Sequence, residues 1–335
     1  MNAVLFVGHG SKDWEGNEEV RQFIQKIAPE IEVPIIETCF LEFENPTVQQ
    51  GLDTCIKRGA THIVVVPLML FAAGHAKLHI PAEIDHCKEK HPHISITYAR
   101  PVGIDHQIVR LLAERFEEAV EEWRVDGTDS TLAEETAVLI VGRGSSDADA
   151  NSEIYKMSRL FWEQRKAKIV ETAFMGVTSP SFDEGVERCL KLGAKHVVIL
   201  PYLLFTGVLI KRLELYTVQS RERFPDITFA LGHYFGDHHL LQKTIRERVA
   251  EAFHGEIKLN CDTCVYRIEA MEHHGHHHHH HDHDHDHHHG HGHDHHGHGH
   301  GHHHDHDHDH HHEHGHDHRR HDHSHKQEGV RGGAR

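Results

Sequence analysis

Two histidines, His9 and His75, lie in glycine-containing segments that directly follow apolar, strand-like runs of the sequence. His9 stands in Gly-His-Gly-Ser after the run Ala3–Val7, and His75 follows Gly74 after the run His62–Leu70. Neutral imidazole binds divalent transition metals such as Co²⁺, Ni²⁺, Fe²⁺ and Zn²⁺, and it titrates close to neutral pH. A pair of such side chains could hold a metal, leave coordination positions open for a substrate, and accept protons.

The chain repeats itself, and only its first half has these two histidines. The segment Val7–Ser11 recurs as Val141–Ser145, with arginine in place of histidine. The same shift of 134 positions relates further pairs: Phe40/Phe174, Pro46/Pro180, Gly51/Gly185, Cys55/Cys189, Gly59/Gly193, His62/His196, Pro67/Pro201 and Phe71/Phe205. The segment Ala72–His75 faces the shorter Thr206–Val208, after which the shift becomes 133. A histidine that the fold needs would be needed in both copies, so the asymmetry favours a functional role for the two histidines.

Each half alternates apolar runs with amphipathic segments, which predicts strands alternating with helices. In the first half, strands are predicted over Ala3–Val7, Pro34–Phe43, His62–Leu70 and Ile94–Tyr98, and helices over Asn17–Ala28, Thr47–Arg58, Ala76–Glu89 and His106–Trp123. This alternation predicts an α/β fold whose parallel sheet carries helices on both faces. Ligands of such sheets bind beyond the carboxyl ends of the strands, where both histidines are expected. Residues 136–256 repeat the plan of residues 1–125, and Arg124–Glu135 is the predicted linker.

The composition limits the class of function. A length of 335 residues suffices for two domains, and a formal charge of −17 argues against a general nucleic-acid binder, which needs a basic surface. No run of the sequence approaches the roughly 20 apolar residues of a membrane span. The N-terminal segment enters a strand without a charged targeting region, and the six cysteines are sparse, as in the reducing cytoplasm. The sequence therefore predicts a cytoplasmic protein with no nucleic-acid or membrane partner.

Other chemistries of the Gly-His-Gly-Ser segment require neighbours that the sequence lacks. A nucleophilic Ser11 would need a Gly-x-Ser-x-Gly elbow, and a phosphate-binding loop would need Gly-Lys-Ser or Gly-Lys-Thr. Gly8 and Gly10 permit positive φ and let a large ligand approach the backbone. The same glycines would also suit a plain tight turn.

The motif Val7–Ser11, together with Pro67–His75 and Ile80–Pro81, resembles the class II chelatases, which insert a divalent metal into sirohydrochlorin. The duplicated body, a Cys-x-x-Cys pair and a histidine-rich end resemble the long form of this family, the cobaltochelatases of the CbiX type. The resemblance covers residue 1 to about residue 270. It implies two tandem chelatase-like, flavodoxin-like domains, the first catalytic and the second degenerate. It also implies ATP-independent insertion of Co²⁺ in anaerobic cobalamin biosynthesis.

The resemblance assigns His9 as metal ligand and proton acceptor, and His75 as the second ligand. The macrocycle would be lined by Leu70, Phe71, Ala72, Ala73 and Gly74. Glu42 and Glu44, at the end of the second strand, could orient an imidazole, relay the proton or be ordinary solvated carboxylates, and Glu44 is also a candidate for binding the substrate. His79 could be a third ligand or a surface residue. Because sirohydrochlorin is a polycarboxylate, the acidic chain needs local cations, and Arg143 could reach a carboxylate if the two halves face each other. Further candidate cations are Lys12, Lys77 and Arg100.

Two segments beyond the second half could also bind metal. In residues 257–271, Cys261 and Cys264 supply half of the ligands of a four-cysteine iron–sulfur cluster, which the long-form resemblance favours. A homodimer that shares a cluster, additional ligands, a dithiol redox pair and a soft-metal site all stay open. Residues 272–335 form a tail that holds 33 of the 46 histidines and cannot bury a core, which predicts disorder. Such a tail would concentrate Co²⁺ or Ni²⁺.

Two alternative functions fit parts of this pattern. A sirohydrochlorin ferrochelatase for siroheme is one, since imidazoles follow the general affinity order of metals and do not select cobalt. A non-catalytic metal store or metallochaperone is the other. It would explain the tail but not the histidines that only one of the two copies has.

Overall fold

The computed structural model describes residues 1–121 and 134–255, except for the side chain of His75. The predicted linker lies outside the described residues, apart from its last two positions. The Cys-x-x-Cys pair and the histidine-rich tail lie outside them entirely.

The first half forms a four-stranded parallel sheet with strand order β2-β1-β3-β4. Its strands are β1 (Asn2–Gly8), β2 (Ile35–Phe40), β3 (His62–Pro67) and β4 (Ser95–Tyr98). Its helices are α1 (Trp14–Ile27), α2 (Val48–Lys57), α3 (Ile80–Lys90) and α4 (His106–Val120). A 3₁₀ turn (Ala28–Glu30) follows α1, and a π-helical turn (His75–His79) leads directly into α3.

The second half repeats this plan with strand order β6-β5-β7-β8. Its strands are β5 (Thr136–Gly142), β6 (Ile169–Phe174), β7 (His196–Pro201) and β8 (Thr228–Leu231). Its helices are α5 (Ala148–Gln164), α6 (Phe182–Lys191), α7 (Val208–Arg223) and α8 (His239–His254). The predicted α/β fold with two duplicated parallel sheets is confirmed. In each sheet the strand order reverses beside the first strand, which is where ligands of such sheets bind.

Helices begin at capping residues that recur at equivalent positions of the two halves. Asp13 caps α1 and Asp147 caps α5, each by accepting the backbone N–H of the residue two positions later. Thr47 and Ser181 open α2 and α6 with capping boxes. The duplication therefore extends to local structure, and it fixes where the loops after β1 and β5 end.

The strand β3 ends at Pro67 rather than at the predicted Leu70, and β2 ends at Phe40. Beyond β3 the chain leaves the sheet, and the carbonyl of Leu70 accepts the N–H of Gly103 at 2.7 Å. The apolar pattern continues past the strand because Leu70 and Phe71 pack against the core that the two halves share. Apolar character alone therefore predicted the strand too long.

One hydrophobic cluster runs through both halves. Phe116 of α4 contacts Phe161 of α5 edge to face, with ring centroids 6.0 Å apart. Phe23 of α1 meets Phe205, beyond β7, in the same manner at 5.4 Å. Since buried aromatic pairs dominate such interfaces, the halves are held with their sheet edges in a fixed relation.

A buried charged network also joins the halves. Arg248 of α8 is 1% exposed and donates to Asp105 at 2.7 Å and to Glu251 at 3.0 Å. Arg100 binds Glu251 through two hydrogen bonds of 2.8 and 3.0 Å. Removing one partner would leave a buried charge uncompensated, which is strongly destabilising. Arg100, a candidate cation for the substrate, is therefore engaged in this network.

The four cysteines of the described residues are free and buried: Cys39, Cys55, Cys87 and Cys189. Burial raises the pKa of the Cys55 and Cys189 thiols to about 12, so both remain protonated and unreactive at neutral pH. Within the described ranges, each helix is too short or too polar to cross a membrane.

Candidate functional site

A cavity of about 560 Å³ lies between the carboxyl edges of the two sheets, a size typical of small-molecule sites. Both halves contribute to its walls through the loops that follow their first and third strands. The loops after β1 and β3 supply Gly8–Ser11, Leu68–Phe71, Ala73 and Gly74, and those after β5 and β7 supply Gly142–Ser146 and Tyr202–Thr206.

Six residues of the predicted site line this cavity: His9, Leu70, Phe71, Ala73, Gly74 and Arg143. His79 lines it as well, whereas Ala72 and Glu44 are not part of its described lining. The backbone of His75 begins the π-helical turn next to Gly74, and its side chain lies outside the described part of the chain. The predicted loops therefore meet at the cavity, and the position of the His75 ring remains a prediction.

The conformation of the His9 loop depends on its glycines. Gly10 has φ +86°, and a Cβ there would lie 1.8 Å from the carbonyl oxygen of Glu42. The N–H of Glu42 in turn donates to the carbonyl of His9 at 3.0 Å, which fixes the loop against the end of β2. Gly10 adopts the positive φ that glycine permits, whereas Gly8 belongs to β1 and does not. Gly8 is needed for space, since a Cβ would lie 2.9 Å from the ring of Phe40.

Both ring nitrogens of His9 are hydrogen-bonded. Nδ1 lies 3.1 Å from the carbonyl oxygen of Gly10, and Nε2 lies 2.7 Å from Nη1 of Arg143. A carbonyl only accepts and a guanidinium only donates, so Nδ1 carries the proton and Nε2 presents its lone pair. His9 is thus a neutral imidazole whose metal-binding nitrogen faces the second half of the molecule.

The π-helical turn explains the change of register between the halves. Buried or hydrogen-bonded positions correspond at a shift of 134 up to Lys77 and at 133 from Ile80 onward: Ala76/Ile210, Lys77/Lys211, Ile80/Leu213, Ile84/Thr217 and Cys87/Ser220. The extra residue of the first half therefore lies inside the turn, not in the preceding loop as the sequence alignment predicted. A helix that takes up one added residue widens locally to a π turn, a feature frequently found at functional sites. His75 opens this turn.

Two lysines bridge the halves at equivalent positions on either side of the cavity. Nζ of Lys77 lies 2.7 Å from Asp147 and 3.0 Å from Asp149, at the start of α5. Nζ of Lys211 lies 2.7 Å from Asp13 and 2.6 Å from Glu15, at the start of α1. Lys77, a candidate cation for the substrate, instead forms one of these paired bridges.

We expect these bridges to weaken in acid. The hydrogen bond from Lys211 lowers the pKa of Asp13, so this stabilisation is present at neutral pH and is lost as pH falls through the lowered pKa. The urea midpoint of unfolding should be lower for Lys211→Met than for the parent protein at pH 7, and the difference between the two midpoints should become smaller in acid. A difference between the midpoints that does not change with pH would show that the bridge adds no stability through Asp13.

Ser11 has a structural role that both halves share. Its Oγ accepts the N–H of Asp13 at 3.0 Å, and Oγ of Ser145 accepts the N–H of Asp147 at the same distance. Asn17 closes the loop through two further hydrogen bonds with the backbone of Ser11. The serine of Gly-His-Gly-Ser thus orders the loop before α1 in both copies.

Arg143 is the cationic side chain among the described residues that line the cavity. Nζ of Lys12 lies over the ring of Phe43, 5.2 Å from its centroid. Glu44 accepts hydrogen bonds from Asn17 and Arg21, each at 2.9 Å. The hydrogen bond from the backbone N–H of Asn45, followed by the contacts with Arg21 and Asn17, lowers the pKa of Glu44 and keeps it ionised.

Sequence reasoning missed Tyr202, which lines the cavity from the second half. Its ring stacks on Phe71 at 5.3 Å and contacts Phe235 edge to face at 5.0 Å. The hydroxyl is buried without a hydrogen-bond partner among the described residues, and burial raises its pKa well above the ordinary value. Tyr202 stands at the position of Leu68 in the first copy, and this difference between the copies could have identified it from the sequence.

A second group of ligand-type side chains lies where the start of α8 meets α4: His238 and His239 with Glu114 of α4. Nδ1 of His238 accepts the N–H of Leu240 and caps the helix, while Nε2 lies 3.1 Å from Glu114. Desolvation and the charge of Arg115 lower the pKa of His238. The helix cap and the contact with Glu114 thus engage both ring nitrogens of His238, and these structural contacts explain why the side chains lie together.

Duplicated parallel sheets that enclose a cavity, with an imidazole at one sheet edge and a guanidinium at the other, are the architecture of a two-domain chelatase. The chain belongs to the CbiX family, whose model matches residues 3–119 and 137–252. The resemblance to the class II chelatases is thereby confirmed.

Two bacterial relatives match most of the chain. The protein is 55% identical over 274 residues to the sirohydrochlorin cobaltochelatase of Priestia megaterium, covering 82% of this chain and 87% of that one. It is 37% identical over 248 residues to the sirohydrochlorin ferrochelatase of the same organism, covering 73% and 90%.

Two solved structures share the fold. SirB from Bacillus subtilis with Fe³⁺ has a TM-score of 0.66 and 34% identity, covering 76% of this chain and 97% of that one. The sirohydrochlorin chelatase SirB from Bacillus subtilis subspecies spizizenii in complex with cobalt has a TM-score of 0.63 and 30% identity, covering 76% and 96%.

Proposed function

We propose that this protein inserts Co²⁺ into sirohydrochlorin without ATP and so serves anaerobic cobalamin biosynthesis. The observation that carries the proposal is the neutral imidazole of His9, whose Nε2 lone pair lies at a cavity shared by both halves. Cobalt is favoured over iron because identity to a cobaltochelatase reaches 55%, against 37% and 33% for two ferrochelatases.

In this proposal each residue has a distinct task. His9 holds the incoming cobalt through Nε2 with His75 as second ligand. Once cobalt has moved to the macrocycle, His9 accepts one of the two pyrrole protons, and the other passes to solvent water. The loop Leu70–Gly74 covers one face of the macrocycle, with Tyr202 packed behind Phe71. Glu44 remains a candidate for binding the substrate.

The assay that tests the function follows the absorption spectrum of sirohydrochlorin with chelator-buffered Co²⁺, Fe²⁺ or Ni²⁺. We expect the initial rate to be highest with Co²⁺ and well above the rate without protein. A higher rate with Fe²⁺ would assign the ferrochelatase reaction. No acceleration with any metal would leave a metal store as the function.

We further propose that the tail of residues 272–335 is a reservoir for Co²⁺ or Ni²⁺, since tethered weak sites raise the local metal concentration. Exchanging its histidines for asparagine should leave kcat at saturating buffered Co²⁺ unchanged and impair cobalamin-dependent growth when cobalt is scarce. A variant of equal length that keeps its histidines in shuffled order is the control. Equal growth of all forms under scarcity would make the tail passive.

For Cys261 and Cys264 we propose an iron–sulfur cluster that a homodimer completes, since one chain supplies only half of the ligands. Iron and acid-labile sulfide in anaerobically purified protein, lost in Cys261→Ser, would support it. Metal without sulfide would indicate a soft-metal site, and neither would indicate a dithiol pair.

The four free buried cysteines support the prediction that the protein works in the reducing cytoplasm.

A further inference from the structure

We propose that Arg143 couples tetrapyrrole binding to metal binding, because it occupies the metal-binding nitrogen of His9 until a substrate carboxylate draws it away. This coupling rests on the function proposed above, since it needs a polycarboxylate substrate and a metal that binds at His9. It gives the degenerate half a role in controlling the site of the first half.

The hydrogen bond between Arg143 and His9 excludes a metal from the same nitrogen. Nη1 of Arg143 lies 2.7 Å from Nε2, and one lone pair cannot serve a guanidinium N–H and a metal ion together. Nδ1 cannot replace Nε2, because its proton is held by the carbonyl of Gly10 at 3.1 Å. The fixed positive charge of Arg143 also opposes an arriving cation. Metal binding therefore requires the guanidinium to move.

The duplicated loop is built to present this guanidinium. Gly144 has φ +87°, which matches +86° at Gly10, and a Cβ there would lie 2.0 Å from the carbonyl of Gly176. Arg143 thus occupies in the second half the position that His9 occupies in the first. The two loops face each other across the cavity, so the exchange of histidine for arginine places a donor against the remaining imidazole.

A carboxylate is a stronger partner for Arg143 than a neutral imidazole. Guanidinium and carboxylate are opposite charges and often form two parallel hydrogen bonds, whereas a neutral imidazole offers the guanidinium a single lone pair and no charge. Arg143 is also the cation among the described lining residues, so a carboxylate that enters the cavity is attracted to it. When the guanidinium turns to the substrate, Nε2 of His9 becomes available to cobalt. By linkage, each ligand then promotes binding of the other.

The test is a double-mutant cycle on full-length protein in excess EDTA, with the Kd of sirohydrochlorin measured by its fluorescence. Arg143→Gln should weaken binding about 10- to 100-fold, as loss of a charge-assisted hydrogen bond predicts. His9→Ala should tighten binding about 3- to 10-fold, because Arg143 no longer has to leave the imidazole. In the double variant that gain should vanish.

Two controls separate the coupling from other effects. His9→Leu fills the space of the ring without a nitrogen and should show the same gain as His9→Ala. In a Lys12→Gln background, which removes a different charge beside the loop, the gain from His9→Ala should persist.

A gain that also persists in Arg143→Gln, or no gain from either His9 variant, overturns the coupling. If the parent protein does not bind sirohydrochlorin, the function proposed above fails instead, so the two failures are distinguishable.

Discussion

Replacing His9 by alanine should lower kcat for cobalt insertion by about 10²- to 10⁴-fold, the range for loss of a proton acceptor. The imidazole is neutral, its Nε2 lone pair faces the cavity, and the loop around it is fixed by Gly10 and the end of β2. Sirohydrochlorin should still bind, because Arg143 and the apolar walls remain.

The measurement is the initial rate of metallation at saturating sirohydrochlorin and saturating buffered Co²⁺. His254→Ala, which removes an exposed histidine at the end of α8, should retain the parent rate. A His9→Ala variant that reaches the parent rate at high cobalt would show that the imidazole only gathers metal.

Deleting Leu78 should lower turnover by about 100-fold or more while the protein stays folded. Leu78 is 65% exposed within the π-helical turn, and its loss would let the turn become an ordinary α-helix, as in the second half. Because α3 is anchored by the buried Ile80 and Ile84, the backbone at His75 would move around the helix axis. Misplacement of a reacting group by about 1 Å can cost 10²-fold in rate.

The matched control is Leu78→Ala, which removes the side chain and keeps the residue count. It should retain the parent rate, and both variants should show cooperative unfolding in urea. Equal rates for the deletion variant and Leu78→Ala would show that the π turn does not position His75.

The duplication made much of this architecture predictable. Alternating apolar and amphipathic segments gave the parallel sheets, and the histidines after β1 and β3 gave the functional edge. The resemblance to the chelatases identified the loop Leu70–Gly74, and Arg143 was identified as the counterpart of His9, since equivalent strand ends of two copies meet when the halves face each other. The backbone conformation that glycine permits in a turn, as at Gly10, also follows from the sequence.

The remaining features depend on contacts between segments far apart in the chain. Nothing local to Lys77 or Arg100 shows that Asp147 and Glu251 will pair with them, so both were candidate substrate cations. The place of the extra residue in the π turn is defined by comparing the buried positions of the two halves, and the Tyr202 hydroxyl, which has no hydrogen-bond partner among the described residues, is buried by packing between the halves. The hydrogen bond from Arg143 to His9 depends on how two loops 134 residues apart are oriented, which only the assembled fold defines.

The most direct test of the proposed metal-binding role of His9 is a crystal structure of the Arg143→Gln variant, in which no guanidinium occupies Nε2, soaked with Co²⁺, with an anomalous difference map at the cobalt edge. A peak about 2.1 Å from Nε2 of His9, the usual metal–imidazole distance, is the predicted result. Cobalt bound only elsewhere in this variant would contradict the role assigned to this histidine.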